Sequence, residues 1–355
     1  MTENTHMQVV ELLKQLVKTP SFSTEEDKTA EIIFGFLASQ GMNPKRFMNN
    51  VWAQSPNYDE TKPTLLLNSH HDTVQPSPAY TRDPFAATIE DGKLYGLGSN
   101  DAGGSVVSLL QTFCLLAKEE LPYNLVIAIT AEEERVSING ISALLPKLPK
   151  IDFAIVGEPT QMNAAVAERG LMVLDCLSKG KSGHAARNEG DNALYHAIDD
   201  IQWFRTYRFP KVSPLMGEIK MTVTQIQAGT QHNVIPAECS FVVDIRPTDC
   251  YKNEEIVEIA REHVKCEIKP RSTHLLASAL DENHCLTKTA KQLGLTCYIS
   301  PTTSDITRIP VPAIKLGPGD SARSHTADEF IYVDEIRQGI DGYIRFLKAL
   351  NVNCL

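Results

Sequence analysis

The chain has no CxxC pair, and its eight cysteines are scattered, mostly inside apolar runs such as "TFCLLA" and "MVLDCLS". Such cysteines behave as small buried hydrophobes of a reducing compartment, which argues against a disulfide framework and a thiolate zinc site. No apolar run is long enough to cross a bilayer. The opening "MTENTHMQVVELLKQLVKTP" has neither the basic n-region nor the apolar h-region of a signal peptide, so the cytoplasm is the expected compartment. Dense Lys/Arg blocks are missing too. The 34 basic side chains face 44 acidic ones, a net charge of −10 that argues against nucleic acid or an anionic membrane as partner. Neither GxGxxG nor the P-loop GxxxxGK[ST] occurs, which removes the common dinucleotide and phosphate sites.

What is present is an ordinary globular composition, 42% hydrophobic and 22% charged, over 355 residues. That length calls for two domains. Apolar residues at helical spacing predict a first helix in "NTHMQVVELLKQLVKTPS". A second is predicted in "STEEDKTAEIIFGFLASQG", with Ser23 and Glu26 as a capping box and Gly41 as its C-terminal glycine. Buried strands then alternate with helices: "TLLLNSH", "DAGGSVVSLLQTFCLLAKE", "NLVIAITAEEE", "NGISALLPKL", "DFAIVGEPT". This rhythm predicts an α/β domain, its sheet covered by helices on both faces and its functional residues at the carboxyl ends of the strands. From about Glu168 the strands become half-exposed and two helices interleave, the pattern of an α+β, ferredoxin-like sandwich. After about 275 the first rhythm returns. The expected organisation is a discontinuous domain, 1–167 with 276–355, carrying an inserted domain at 168–275.

Potential ligands follow the predicted strands. They are His70, His71 and Asp72 in "NSHHDTV", Asp101 in "GLGSNDAGG", Glu132, Glu133 and Glu134 in "TAEEE", Glu158 in "VGEPT", and His325 in "SARSHTADE". Imidazoles and carboxylates without thiolates suit Zn²⁺ or a similar divalent ion in a catalytic site. Two metals about 3.5–4 Å apart that share one carboxylate need about five such ligands and a separate base. Each fragment alone also fits a solvated loop or a plain strand end; their succession at strand ends is the signal.

These segments resemble the M20 family of di-zinc metallopeptidases and deacylases. "SHHDTV", "LYGLGSNDAGG", "TAEEE", "VGEPT", "GKSGHAA", "NVIPAEC", "DIRP" and "GPGDSARSHTADE" follow the family's order over nearly the whole chain. The resemblance implies a mixed-sheet zinc-peptidase domain plus an inserted lid and dimerisation domain. It implies two Zn²⁺ per subunit, with Co²⁺ or Mn²⁺ as substitutes, held by His70, Asp101, Glu134, Glu158 and His325. Asp101 would bridge the metals, with a cis bond after it. Asp72 would orient His70, and Glu133 would be the general base. His71 falls at a variable position; neighbouring strand residues face opposite sides, so it is expected to point away. In the inserted domain the resemblance makes His184 an oxyanion stabiliser reaching the partner subunit's site in a homodimer. Asn233 and Arg246 become substrate-holding groups. Leu97 and Gly103 depart from the family, where Arg and Lys are frequent, and Val136 replaces a usual glycine. The activity implied is amide hydrolysis: removal of an Nα-acetyl or succinyl group from ornithine or citrulline in arginine biosynthesis. Desuccinylation of diaminopimelate and dipeptide cleavage are the alternatives, and a noncatalytic metal-binding protein is the rival from another class.

Overall fold

The computed structural model describes residues 3–135, 137–187 and 189–352, so Val136 and Cys354 lie outside the description. The chain divides into two compact units. One comprises Met1–Val166, Leu280–Ser300 and Ser304–Leu355; the other comprises Ala167–Ala279 with Pro301–Thr303.

The first unit is built on a mixed sheet. Its strands lie in the order Lys45–Phe47, Asn50–Gln54, Asn124–Thr130, Thr64–His70, Phe153–Val156, Ala313–Lys315 and Ala164–Glu168. The pairs among Asn124–Thr130, Thr64–His70, Phe153–Val156 and Ala313–Lys315 are parallel, and the flanking pairs are antiparallel. Alternate side chains enter different cores, as the strand period of two requires. Leu65, Leu67, Ile127, Ile129 and Ile155 pack with helices Glu3–Val17, Gly104–Leu116 and Val333–Ala349. Leu66, Val126, Ala128 and Val156 pack instead with Ile141, Leu144 and Ile306. Because both faces are covered, these central strands are buried from end to end. Parallel strands also bring their carboxyl ends to one edge, with His70 beside Thr130 and Asn68 beside Val156.

One local expectation fails. Helix Asp27–Ser39 does end at Gly41, whose φ is +74°, but Ser23 and Glu26 form no capping box. The Ser23 hydroxyl donates to Asp72 at 2.7 Å, and fully buried Glu26 accepts from Asn49 and from the Thr24 and Glu132 amides. Tertiary partners outcompete the local motif.

The second unit is an antiparallel sheet in the order Lys220–Ala228, Glu238–Arg246, Met172–Lys179, Glu267–Pro270. Helices Ala193–Thr206 and Asn253–His263 complete a βαββαβ, ferredoxin-like chain path. It has its own core, which includes Leu174, Phe204, Phe241 and Ile256. The described cysteines are all free, and among the described residues no helix is long and apolar enough to cross a membrane.

Gly317, which follows strand Ala313–Lys315, is pressed against Ser105 and the Glu158 backbone. An added Cβ would lie 2.3 Å from Ser105 Oγ and 2.5 Å from the Glu158 carbonyl. Gly317→Ala should therefore lower the free energy of unfolding by about 1–3 kcal/mol, the usual cost of overpacking. An unchanged urea midpoint would contradict this contact.

Candidate metal centre

Three parallel strand ends deliver most of the donors. His70 ends its strand, Glu133 and Glu134 follow Thr130, and Glu158 follows Val156. Asp101 arrives from the turn Ser99–Gly103 that opens helix Gly104–Leu116, and its bond to Ala102 is cis, as the resemblance implied. His325 comes from the segment before strand Phe330–Tyr332 and has a φ of +58°.

Asp101 lies between the two imidazoles. Its Oδ1 is 3.3 Å from His70 Nε2, and its Oδ2 is 3.7 Å from His325 Nε2. Each imidazole has a second carboxylate: Glu158 Oε1 is 3.8 Å from His70, and Glu134 Oε1 is 3.0 Å from His325. Donor atoms of His70, Asp101 and Glu134 all fall within 4.8 Å of one another. A set of nitrogen and carboxylate oxygen donors this close, two of them on one carboxylate, fits a pair of divalent cations.

The acidic run after Thr130 is held by its backbone. Glu132 N–H donates to Glu26 at 3.2 Å, Glu133 N–H to Asp72 Oδ1 at 3.0 Å, and Glu134 N–H to Asp72 Oδ2 at 3.1 Å. Glu132 uses both its oxygens on the Asn139 amide, so it serves the loop, while Glu133 and Glu134 are left to face the donors. Asp72 was expected mainly to orient the His70 ring. It does so chiefly through its carbonyl, 3.0 Å from Nδ1, while its carboxylate lies 3.4 Å away and gathers Ser23 and the acidic loop.

The titration of these groups reflects crowding. Burial opposes charge on His70, but its hydrogen bonds to Asp101 and Asp72 prevail and raise its pKa well above the usual value. Hydrogen bonding to Glu134 raises His325 to about 9. Burial pushes Glu158 to about 8 and Glu133 well above the usual carboxyl range, with neighbouring carboxylates adding to both. Burial also works against ionised Asp101, yet His70 holds it below its ordinary value. Burial thus works against charge on Glu133 and Glu158, a cost that bound divalent cations would relieve.

Two buried acids belong to this setting without a sequence-derived role. Glu329 accepts from the backbone of the Asp101 turn. Asp305, pushed to about 6 by burial, accepts from the Thr130 hydroxyl at 2.9 Å. Glu329 stands four residues after His325 in "SHTADE", and Asp305 in "TSD"; neither spacing alone reveals a partner over a hundred positions away.

A family model described as peptidase family M20/M25/M40 matches residues 66–349. The chain belongs to this family. It is accordingly a hydrolase of amide bonds. It is 25% identical over 352 residues to acetylornithine deacetylase of Buchnera aphidicola subsp. Schizaphis graminum, covering 91% of this chain and 92% of that one. It is 27% identical over 379 residues to succinyl-diaminopimelate desuccinylase of Parvibaculum lavamentivorans, covering 96% and 95%. Among solved structures it resembles the Bacillus subtilis YXEP protein, described as a dinuclear metal binding peptidase from the M20 family. The TM-score is 0.73 at 16% identity, with 98% of both chains covered.

In this M20 chain the departure at Gly103 has a steric basis. A Cβ there would lie 2.4 Å from the Gly98 carbonyl and 2.7 Å from Leu13, so a lysine does not fit this turn. In the second unit, His184 and Asn233 come together. His184 pairs with Val234 in register, and the Ala185 amide donates to the Asn233 carbonyl at 3.0 Å. The Arg246 fork is engaged by Asp244 of its own strand, at 2.8 and 3.2 Å.

His71 turns from the donors into the protein. Its Nε2–H donates to the Asn49 carbonyl at 2.9 Å, and its Nδ1 lies 2.9 Å from the Thr29 hydroxyl. Burial lowers its pKa from 6.5 to about 4. The unfolded chain binds this proton more readily, so the stability tied to neutral His71 is full above about 6.5 and is lost as pH falls toward 4. In His71→Gln the denaturation midpoint should fall less steeply over that window than in the wild type. Equal slopes would mean that His71 is not held neutral.

Proposed function

We propose that this chain is a two-metal Nα-acyl-amino-acid deacylase, with acyl-ornithine or acyl-citrulline as substrate and a place in arginine biosynthesis. The observation that carries the metal assignment is Asp101, one carboxylate with an imidazole at each oxygen. His70 and Glu158 would hold one cation, His325 and Glu134 the other, and Asp101 both; zinc suits the donors, and Co²⁺ or Mn²⁺ could substitute. When bound, the cations would polarise the amide carbonyl and lower the pKa of water.

The remaining chemistry falls to side chains. Glu133 takes a proton from the attacking water and returns it to the departing amine nitrogen, so one carboxyl serves as base and then as acid. Its burial among other acids raises its pKa well above the ordinary glutamate range, which makes it a stronger base for the proton it carries between water and amine. Asp72 keeps the Glu133 backbone fixed, which places the carboxyl before substrate arrives. In a homodimer paired through the second unit, the partner's copy of the His184 imidazole would donate to the oxyanion. Asn233 and Arg246 would hold the amino-acid end. Arg246 would then exchange Asp244 for the substrate carboxylate, a bidentate grip of the same geometry.

The deacetylase and desuccinylase relatives at similar identity define the panel that tests this reading. Acetylornithine, succinylornithine and acetylcitrulline should be hydrolysed with higher kcat/KM than succinyl-diaminopimelate or dipeptides. The reverse order moves the chain to another M20 branch, and no turnover of any amide would favour a noncatalytic role. Glu133→Gln should keep its metals and lose about 10²-fold or more in kcat, as expected for a general base. Mixing His184→Ala with Glu133→Gln subunits should restore activity in heterodimers, because one of the two shared sites is complete. Demonstrated subunit exchange without recovery would remove His184 from the partner's site.

A further inference from the structure

We propose that Glu329 is a positioning residue for Asp101, fixing that carboxylate between His70 and His325 through the backbone without touching substrate. The inference rests on the two-metal reading above and extends it to a residue outside the donor set.

Glu329 is 2% exposed. Its Oε1 accepts from the Asn100 N–H at 2.8 Å and from the Asp101 N–H at 2.9 Å, and its Oε2 from the Gly98 N–H at 3.1 Å. Three amides of one turn therefore converge on one carboxylate, including the amide of the residue that lies between the imidazoles. Gly98 has a φ of +74° and an added Cβ would strike Thr73 at 2.5 Å, so the turn has little freedom to seek other partners.

The side chain is not needed to attach its own segment. Phe330–Tyr332 pairs in register with Lys93–Tyr95, and the Glu329 carbonyl already accepts from Gly96 N–H at 2.9 Å. The neighbouring Asp328 carboxylate makes a separate attachment, to the Thr81 amide and hydroxyl and the Arg82 amide. What the Glu329 carboxylate adds is a fixed Asp101 turn. Placing an acid where Asp101 already crowds the charge is costly, and three hydrogen bonds from the amides of the turn offset part of that cost. Because Glu329 lies four residues after His325, the same stretch of chain also carries the donor for the second cation. One short segment thus sets both Asp101 oxygens against both imidazoles.

The test is zinc titration of the full-length, chelator-stripped enzyme against a competing chromophoric chelator. The variants are Glu329→Gln, Asp101→Asn and the double substitution. Glu329→Gln is nearly isosteric but turns an NH₂ group toward an N–H donor. It should retain the far-UV spectrum and bind zinc about 10–100-fold more weakly, the range for loss of an outer-shell partner. Its kcat should fall more than its KM rises. In the Asp101→Asn background the same change should have less than about a two-fold effect, because the residue through which Glu329 acts is already lost. Should Glu329→Gln fail to fold, Glu329→Asp, which keeps both oxygens one methylene further back, carries the same comparison. Wild-type zinc affinity in a folded Glu329 variant overturns the proposal, and so do equal losses with and without Asp101. A wild-type chain that takes up no zinc overturns the two-metal reading itself, and the Glu329 proposal with it.

Discussion

Like charges forced together need either counter-charge or a rigid frame, and the first unit has the frame. Asp72, Asp101, Glu133, Glu134 and Glu158 are gathered around two imidazoles, in surroundings where Coulomb repulsion is poorly screened. Parallel strands deliver His70, the acidic loop and Glu158 to one edge, and backbone amides tie the loops to buried carboxylates. Glu26, Asp72 and Glu329 each accept from backbone N–H groups, so the loops that carry the donors are held by main chain as well as by the pairing of imidazoles with carboxylates. Such a frame fixes the donors through the main chain, which is what electrostatic preorganisation requires.

The division of labour among adjacent residues follows from this frame. Of the three consecutive glutamates, Glu132 is consumed by Asn139, whereas Glu133 and Glu134 remain with the donors. Of the two adjacent histidines, His70 faces Asp101 while His71 is satisfied by Asn49 and Thr29 on the other side of its strand. The pleat separates the two imidazoles: burial keeps His71 neutral, whereas hydrogen bonds to Asp101 and Asp72 raise the pKa of His70 against the same burial.

Much of this was legible in the sequence because it depends on short-range periodicity. "TLLLNSH", "NLVIAIT" and "DFAIV" read as buried strands, and residues after them fall at one edge of a parallel sheet whatever the loops do. The alternation that set His71 apart from His70 was equally local. The failures were long-range. Ser23 and Glu26 have capping-box spacing, yet their partners, Asp72 and Glu132, lie 49 and 106 positions away. Glu329 reaches back 228 positions to the Asp101 amide. The role of glycine at 103 depends on the approach of Leu13 and the Gly98 carbonyl, which the sequence does not display. Asp72 lies between these cases: its place beside His70 follows from the strand, but its hold on the acidic loop follows from the fold.

The central claim is that Asp101 stands between two cations. Anomalous diffraction from crystals of the full chain grown with zinc, collected on both sides of the zinc edge, tests it directly. The account predicts two peaks about 3.5–4 Å apart, the separation typical of two-metal hydrolytic sites, with one Asp101 oxygen on each. His70 and Glu158 should complete one site, and Glu134 and His325 the other. A single peak, or two peaks with Asp101 bound to only one, would contradict the bridging role on which the proposed mechanism depends.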